Sequence, residues 1–227
     1  SDDIAEVAIQ GPKAQEILQK VTDLDLNEIP FFHFKEDVMV AGVPCLVSRT
    51  GYTGEDGFEI YFGNDDAEKI WDALMEAGEG VLKPTGLACR DTLRFEAALP
   101  LYGNELDADI SPLEAGLGMF VSKEGDFIGS DVMKAQRDGE LKRKLIGLEL
   151  IDKGIARHGY PVYDENDREI GYVTTGYRSP SLNKAIANAL IEIDGPSIDD
   201  EVYVGIRKKK AKAKVINKYY LKKNTKK

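Results

Sequence analysis

The sequence predicts an α+β fold, with antiparallel sheets and flanking helices up to residue 139 and short strands after it. Three observations predict this. Val43, Cys45 and Val47 alternate with Pro44, Leu46 and Ser48, the period of a half-buried strand. Ile70, Trp71, Leu74 and Met75 recur at helical spacing. From Lys144 onward, short apolar runs are punctuated by Gly, Pro, Asp and Asn, as in a small all-β barrel or sandwich.

The elements follow in order. Ile4 to Ile9 reads as a strand, and Gln10-Gly11 ends it. Pro12 suits a first helical position, after which Ala14, Ile17, Leu18 and Val21 share a face. Phe31-Phe32 and Val38-Met39-Val40 read as strand pieces, and Ala41-Gly42 turns the second of these into the strand at Val43. Arg49 to Gly57 is a loop with three glycines, and Phe58 to Phe62 resumes a strand. Asn64 is expected to cap a helix from Asp65 to about Ala77, which Gly78 and Gly80 stop. A second helix starts near Pro84-Thr85-Gly86 and ends before Pro100. Gly118 to Val121 reads as a short strand, and Phe127 to Arg137 as loop, then helix. The texture changes between Gly139 and Lys144, which divides the chain into residues 1–139 and 140–227. Strands are then expected at Leu145–Leu150, Tyr160–Tyr163, Ile170–Thr175, Ala185–Ile193, Val202–Ile206 and Ala211–Ile216.

Composition narrows the function. The 227 residues carry a net charge of −10, 42% are hydrophobic and 31% charged, which suits a globular protein able to bury a core without disulfides. Eleven Lys and Arg fall between Arg207 and Lys227, and no acidic residue follows Glu201. The acidic remainder argues against nucleic acid as the main partner. The basic end reads as a solvated, frayed terminus, with contact to an anionic partner as the other reading. No apolar run approaches the roughly 20 residues of a membrane span, and Ser1-Asp2-Asp3 does not open a signal peptide. With two cysteines, a cytoplasmic location is expected. The absence of an initiator Met before an immediate strand suggests a piece of a longer protein.

Common catalytic signatures are absent. His33 and His158 lie far apart with no Cys or carboxylate at metal spacing, so no metal is expected. Gly51-Tyr52-Thr53-Gly54-Glu55 lacks the lysine of a phosphate-cradling loop. Cys45 and Cys89 both read as small core residues.

Two segments carry chemistry. In Ser48 to Ile60, glycines permit close backbone approach, Tyr52 offers a flat ring, and Glu59 faces away from Phe58 and Ile60. On residue types alone this is also a turn with a solvated carboxylate. In Gly86 to Ala97, Arg90 and Arg94 lie four apart on a helix, with Asp91 and Glu96 as ion-pair partners in the structural reading. Leu101-Tyr102-Gly103 follows. A carboxylate, an arginine and an aromatic ring together suit a flat heterocycle such as a pterin. Its ring N–H and exocyclic amine match a carboxylate acceptor.

The segments Ala8–Ala14, Ser48–Tyr61, Gly86–Gly103, Ser111–Gly118 and Arg157–Val162 resemble, in order, the T-protein family of the glycine cleavage system. The resemblance implies a tetrahydrofolate-dependent aminomethyltransferase. Such an enzyme passes the methylene of the aminomethyl group on lipoylated H-protein to tetrahydrofolate, releasing ammonia and giving 5,10-methylenetetrahydrofolate. It implies a folate-binding region followed by a jelly-roll-like C-terminal β-barrel domain. Tyr52, Glu59 and Arg90 match folate-pocket positions, with Glu59 on the pterin edge; Arg94 is expected to support the site, and Tyr102 to form part of a wall. The family aspartate that orients the folate lies in an N-terminal stretch with no counterpart here, so no catalytic residue is assigned, and slow turnover of the chain alone is expected.

Three alternatives stand beside this reading. One is another folate-dependent methyl-transferring or demethylating enzyme of the superfamily. Another is a folate-binding relative serving iron–sulfur proteins, whose Lys-Gly-Cys-Tyr motif is not matched by Asp126–Ser130. The last is a truncated, non-catalytic folate-binding remnant.

Overall fold

A computed structural model describes residues 2–225. The chain forms two compact units, one from the residues up to Leu99 together with those from Lys222, the other from Pro100 to Leu221.

The first unit is built on a four-stranded antiparallel sheet: β1 (Ile4–Gln10), β2 (Phe34–Val40), β3 (Val43–Ser48) and β4 (Gly57–Gly63), in the order β1-β4-β3-β2. Register decides what each face carries. Val7 lies opposite Ile60, Ile9 opposite Phe58, and Val47 opposite Ile60. These residues join a core with Ile17 and Leu18 of α1 (Ala14–Leu18) and Ile70 and Leu74 of α2 (Ala67–Ala77). The alternate residues, Glu6, Ala8, Gln10, Ser48, Glu59 and Tyr61, take the other face because successive strand side chains alternate. A third helix, α3, spans Leu87–Glu96.

Several expectations are corrected here. Phe31-Phe32 is a turn, closed by the His33 N–H donating to the Pro30 carbonyl at 3.0 Å, and Phe32 sits at φ +62°. Asn64 begins a 3₁₀ turn rather than capping a helix, and its side-chain amide donates to the Asp2 carbonyl. Trp71 falls off the buried stripe of α2 and is 44% exposed. Cys89 is exposed, whereas Cys45 is buried, and burial pushes its thiol up to about 11.

The second unit contains β5 (Arg143–Leu150), β6 (Pro161–Tyr163), β7 (Glu169–Arg178), β8 (Ala185–Glu192), β9 (Glu201–Ile206) and β10 (Lys209–Ile216). They close into an antiparallel barrel in the order β10-β5-β8-β7-β6-β9, so the barrel holds and the sandwich does not. Small and branched residues fill it, among them Leu148, Val173, Ala187, Ala189, Val204 and Ala213. The segment before the barrel includes α4 (Ser130–Ala135). Gly118–Phe120 is a 3₁₀ turn, not a strand, and Met119 and Phe120 are exposed.

The basic end is ordered in its described part. Ala211, Ala213 and Val215 point into the barrel, so strand alternation places Lys210, Lys212 and Lys214 outside. There they pair with Asp167, Glu201 and Asp199. Lys226 and Lys227 lie outside the described residues, as does Ser1. Among the described residues, no helix is long and apolar enough to cross a membrane.

Candidate functional site

The site is built on the face of the first sheet opposite the core. Glu59 reaches it because Phe58 and Ile60, its neighbours on β4, are fully buried on the other side. Thr50 donates its hydroxyl to Glu59 Oε2, and Tyr61 donates to the same oxygen at 3.4 Å. Thr50 in turn lies 2.9 Å from the Ser48 hydroxyl. Among the described residues, no hydrogen bond reaches Glu59 Oε1, which stays available to a donor pair on a ligand.

Glu6 shares this face, opposite Tyr61 in the β1–β4 register. Burial and the Glu59 charge raise its carboxyl above the ordinary value, and Arg90 pulls it back. Burial, Glu59 and Glu6 likewise raise the Tyr61 phenol. These mutual influences put two carboxylates and a guanidinium in one neighbourhood. Neither Glu6 nor Tyr61 was singled out from sequence, although the same period-2 parity that placed Glu59 places both.

Arg90 comes from α3 and is exposed, with its guanidinium carbon 4.9 Å from the centre of the Tyr52 ring. Tyr52 comes from the loop between β3 and β4. That loop is anchored at its base by Arg49, a buried residue bonded to Asp56 at 3.0 and 2.8 Å. Arg49 also donates to the Leu26 and Ile29 carbonyls and to Gln15. At the far side of the loop, the Asn224 N–H donates to the Gly54 carbonyl at 2.8 Å, and its side-chain amide to Glu55 at 3.0 Å. A groove of about 450 Å³ runs beside β1, lined by Glu6, Trp71, Leu87 and Arg90 among others.

Arg94 is only 1% exposed and bonds to Asp91 at 2.7 Å and to the Leu99 carbonyl at 3.3 Å. Of the two acidic residues expected to pair with the arginines, Asp91 pairs with Arg94. Tyr102 belongs to the second unit. It is 74% exposed on a turn that Glu105 and Asn104 tie to Thr174 and Thr175 of β7. Among the described residues, no group of His, Cys, Asp or Glu is placed to hold a metal ion.

This arrangement presents a preset carboxylate oxygen, a cation stacked on an aromatic ring and a neighbouring groove. It suits a flat, partly cationic or amine-bearing heterocycle whose edge donates two hydrogen bonds. The family model for the GCVT N-terminal domain matches residues 1–125. The model for the glycine cleavage T-protein C-terminal barrel domain matches residues 143–222.

The chain belongs to the glycine cleavage T-protein family.

Relatives of the family agree along its whole length. An aminomethyltransferase of Caldanaerobacter subterraneus subsp. tengcongensis is 59% identical over 100% of this chain and 61% of its own length. One of Alkaliphilus oremlandii is 54% identical over 100% of this chain and 62% of its own. The crystal structure of the glycine cleavage system aminomethyltransferase T from Bartonella henselae superposes with a TM-score of 0.89 at 29% identity, over 99% of this chain and 61% of that one. This chain thus spans about 61% of the length of the family members it matches.

Proposed function

We propose that this chain binds tetrahydrofolate and serves aminomethyl transfer: the methylene of the aminomethyl group on lipoylated H-protein passes to tetrahydrofolate, ammonia leaves, and 5,10-methylenetetrahydrofolate forms. The observation that carries this reading is Glu59, on the sheet face opposite the core, with Thr50 donating to Oε2 and, among the described residues, no hydrogen bond reaching Oε1. Glu59 accepts the ring N–H and exocyclic amine of the pterin edge. Tyr52 packs on the ligand, and Arg90, stacked on Tyr52, donates to a ring oxygen or a carboxylate of the glutamate tail. Arg94 supports α3 through Asp91.

In this reading residues 1–139 form the folate-binding region and 140–227 the barrel domain, and the reaction is cytoplasmic. The residues assigned here bind and orient; none of them is given the proton transfer.

Calorimetric titration with tetrahydrofolate, with Glu59→Ala alongside, tests the binding. Micromolar to millimolar binding that weakens at least tenfold in the variant supports the reading; equal affinities refute it. Single-turnover assay with aminomethylated H-protein, set against methylated amines, separates this reaction from folate-dependent demethylation.

A further inference from the structure

The loop that carries Tyr52 is shaped by a residue with no assigned role. Gln10, the last residue of β1, extends its side chain between the two stems of the β3–β4 loop. Its amide N–H group donates to the Thr50 carbonyl at 3.1 Å and to the Phe58 carbonyl at 3.3 Å, and its oxygen accepts from the Thr53 hydroxyl at 3.3 Å. The Thr53 hydroxyl also receives the Glu55 N–H at 3.3 Å. One side chain thus ties residues on both sides of Tyr52 and the residue next to Glu59.

Two glycines make room for it. A Cβ at Gly51 would overlap the Gln10 amide outright, and one at Gly57 would stand 2.5 Å from its Cδ and Oε1. For both positions the three nearest atoms belong to Gln10. Neither glycine has a positive φ. Their need is therefore the volume of the Gln10 amide and not a left-handed backbone. Gly54 differs: its φ is +77°.

We propose that Gln10 is a positioning residue, which sets where Tyr52 and Thr50 stand relative to Glu59 and so presets the ligand site. The proposal rests on the folate reading for its ligand, but the placement it describes has a test of its own. The physical reason is preorganisation: a loop fixed before binding loses less conformational entropy when the ligand arrives.

The experiment uses the full chain and four proteins: wild type, Gln10→Ala, Gly51→Ala and the double variant. The readouts are Tm, amide hydrogen exchange across residues 48–60, and the calorimetric Kd for tetrahydrofolate. Gln10→Ala is expected to raise the Kd roughly tenfold and to speed exchange in the loop, with exchange in β2 and the barrel unchanged. Gly51→Ala is expected to do the same by displacing the amide. The double variant should match Gln10→Ala alone, because the added methyl then fills the vacated space. Additive losses, an unchanged loop exchange in Gln10→Ala, or exchange that rises equally across the whole sheet would each overturn the assignment. If wild type does not bind tetrahydrofolate, the folate reading fails, and exchange in the loop alone decides the role of Gln10.

Discussion

The guanidinium of Arg90 lies over the ring of Tyr52, 4.9 Å from carbon to centroid, and so joins α3 to the β3–β4 loop. The contact depends on a planar cation and a ring face, not on the phenol oxygen. Tyr52→Phe should therefore keep more of the tetrahydrofolate affinity than Tyr52→Ala. Arg90→Lys, which keeps the charge but loses the planar fork, should weaken binding several-fold. Calorimetry on the three variants checks the order; equal loss in Tyr52→Phe and Tyr52→Ala would assign the effect to the hydroxyl.

The same loop stands on a buried ion pair. Arg49 and Asp56 are both buried, and Arg49 satisfies two further carbonyls. Removing one partner strands a charge in the interior. Asp56→Ala should thus cost about 3–5 kcal/mol. Arg49→Met with Asp56→Leu should cost less than either charge left alone. Urea denaturation of the single and double variants measures both.

In the second unit, Glu114 accepts from Arg143 at 2.7 and 3.1 Å and from the Ser111 N–H at 2.9 Å. Burial pushes the Glu114 carboxyl up, but Arg143 and Ser111 together outweigh it and hold the carboxyl below its ordinary value. A depressed folded value means that the stabilisation is complete above the ordinary carboxylate range and is lost as pH falls through the depressed value. The Tm of wild type should fall more steeply with acidification below about pH 4.5 than that of Glu114→Gln. Parallel curves would remove this pair from the acid response.

Glu6 has the opposite sign. Its carboxyl is raised by burial and by Glu59. Its contribution is favourable below the ordinary carboxylate value and is lost as pH rises through the raised one. Glu6→Gln should accordingly have a higher Tm than wild type at pH 7, and the difference should vanish near pH 4. A variant less stable at pH 7 would show that Glu6 serves the fold through contacts other than its charge.

Asn224 holds the Tyr52 loop, so removing residues from Lys222 onward should disturb tetrahydrofolate binding as well as any protein contact. Arg207, Lys208 and Lys209 lie instead around the β9–β10 turn, on a groove shared with Lys153 and Arg157. Under the proposed function, charge reversal at Lys208 and Lys209 should lower the affinity for lipoylated H-protein and flatten its salt dependence, leaving the tetrahydrofolate Kd within twofold. Unchanged affinity for H-protein would exclude this surface.

Periodicity alone determined a large part of this protein. The alternation through Val43–Val47, the strand at Phe58–Phe62 and the barrel strands after residue 143 were legible because burial on one face imposes period 2. The same parity turns Glu59 away from the core. Local pattern failed where a tertiary partner decides: Phe31-Phe32 is apolar but turns, and Lys209, Lys210, Lys212 and Lys214, which read as part of a loose tail, belong to a strand whose small residues fill the barrel. Only the folded chain could bring Gln10 against Gly51 and Gly57, some forty residues apart, or set Arg90 over Tyr52 from another element. Such contacts depend on register and strand order, which join distant residues. A sequence states only which neighbours along the chain can share a face, whereas the candidate site is assembled from residues that become neighbours when the strands of the first sheet pair and α3 packs beside them.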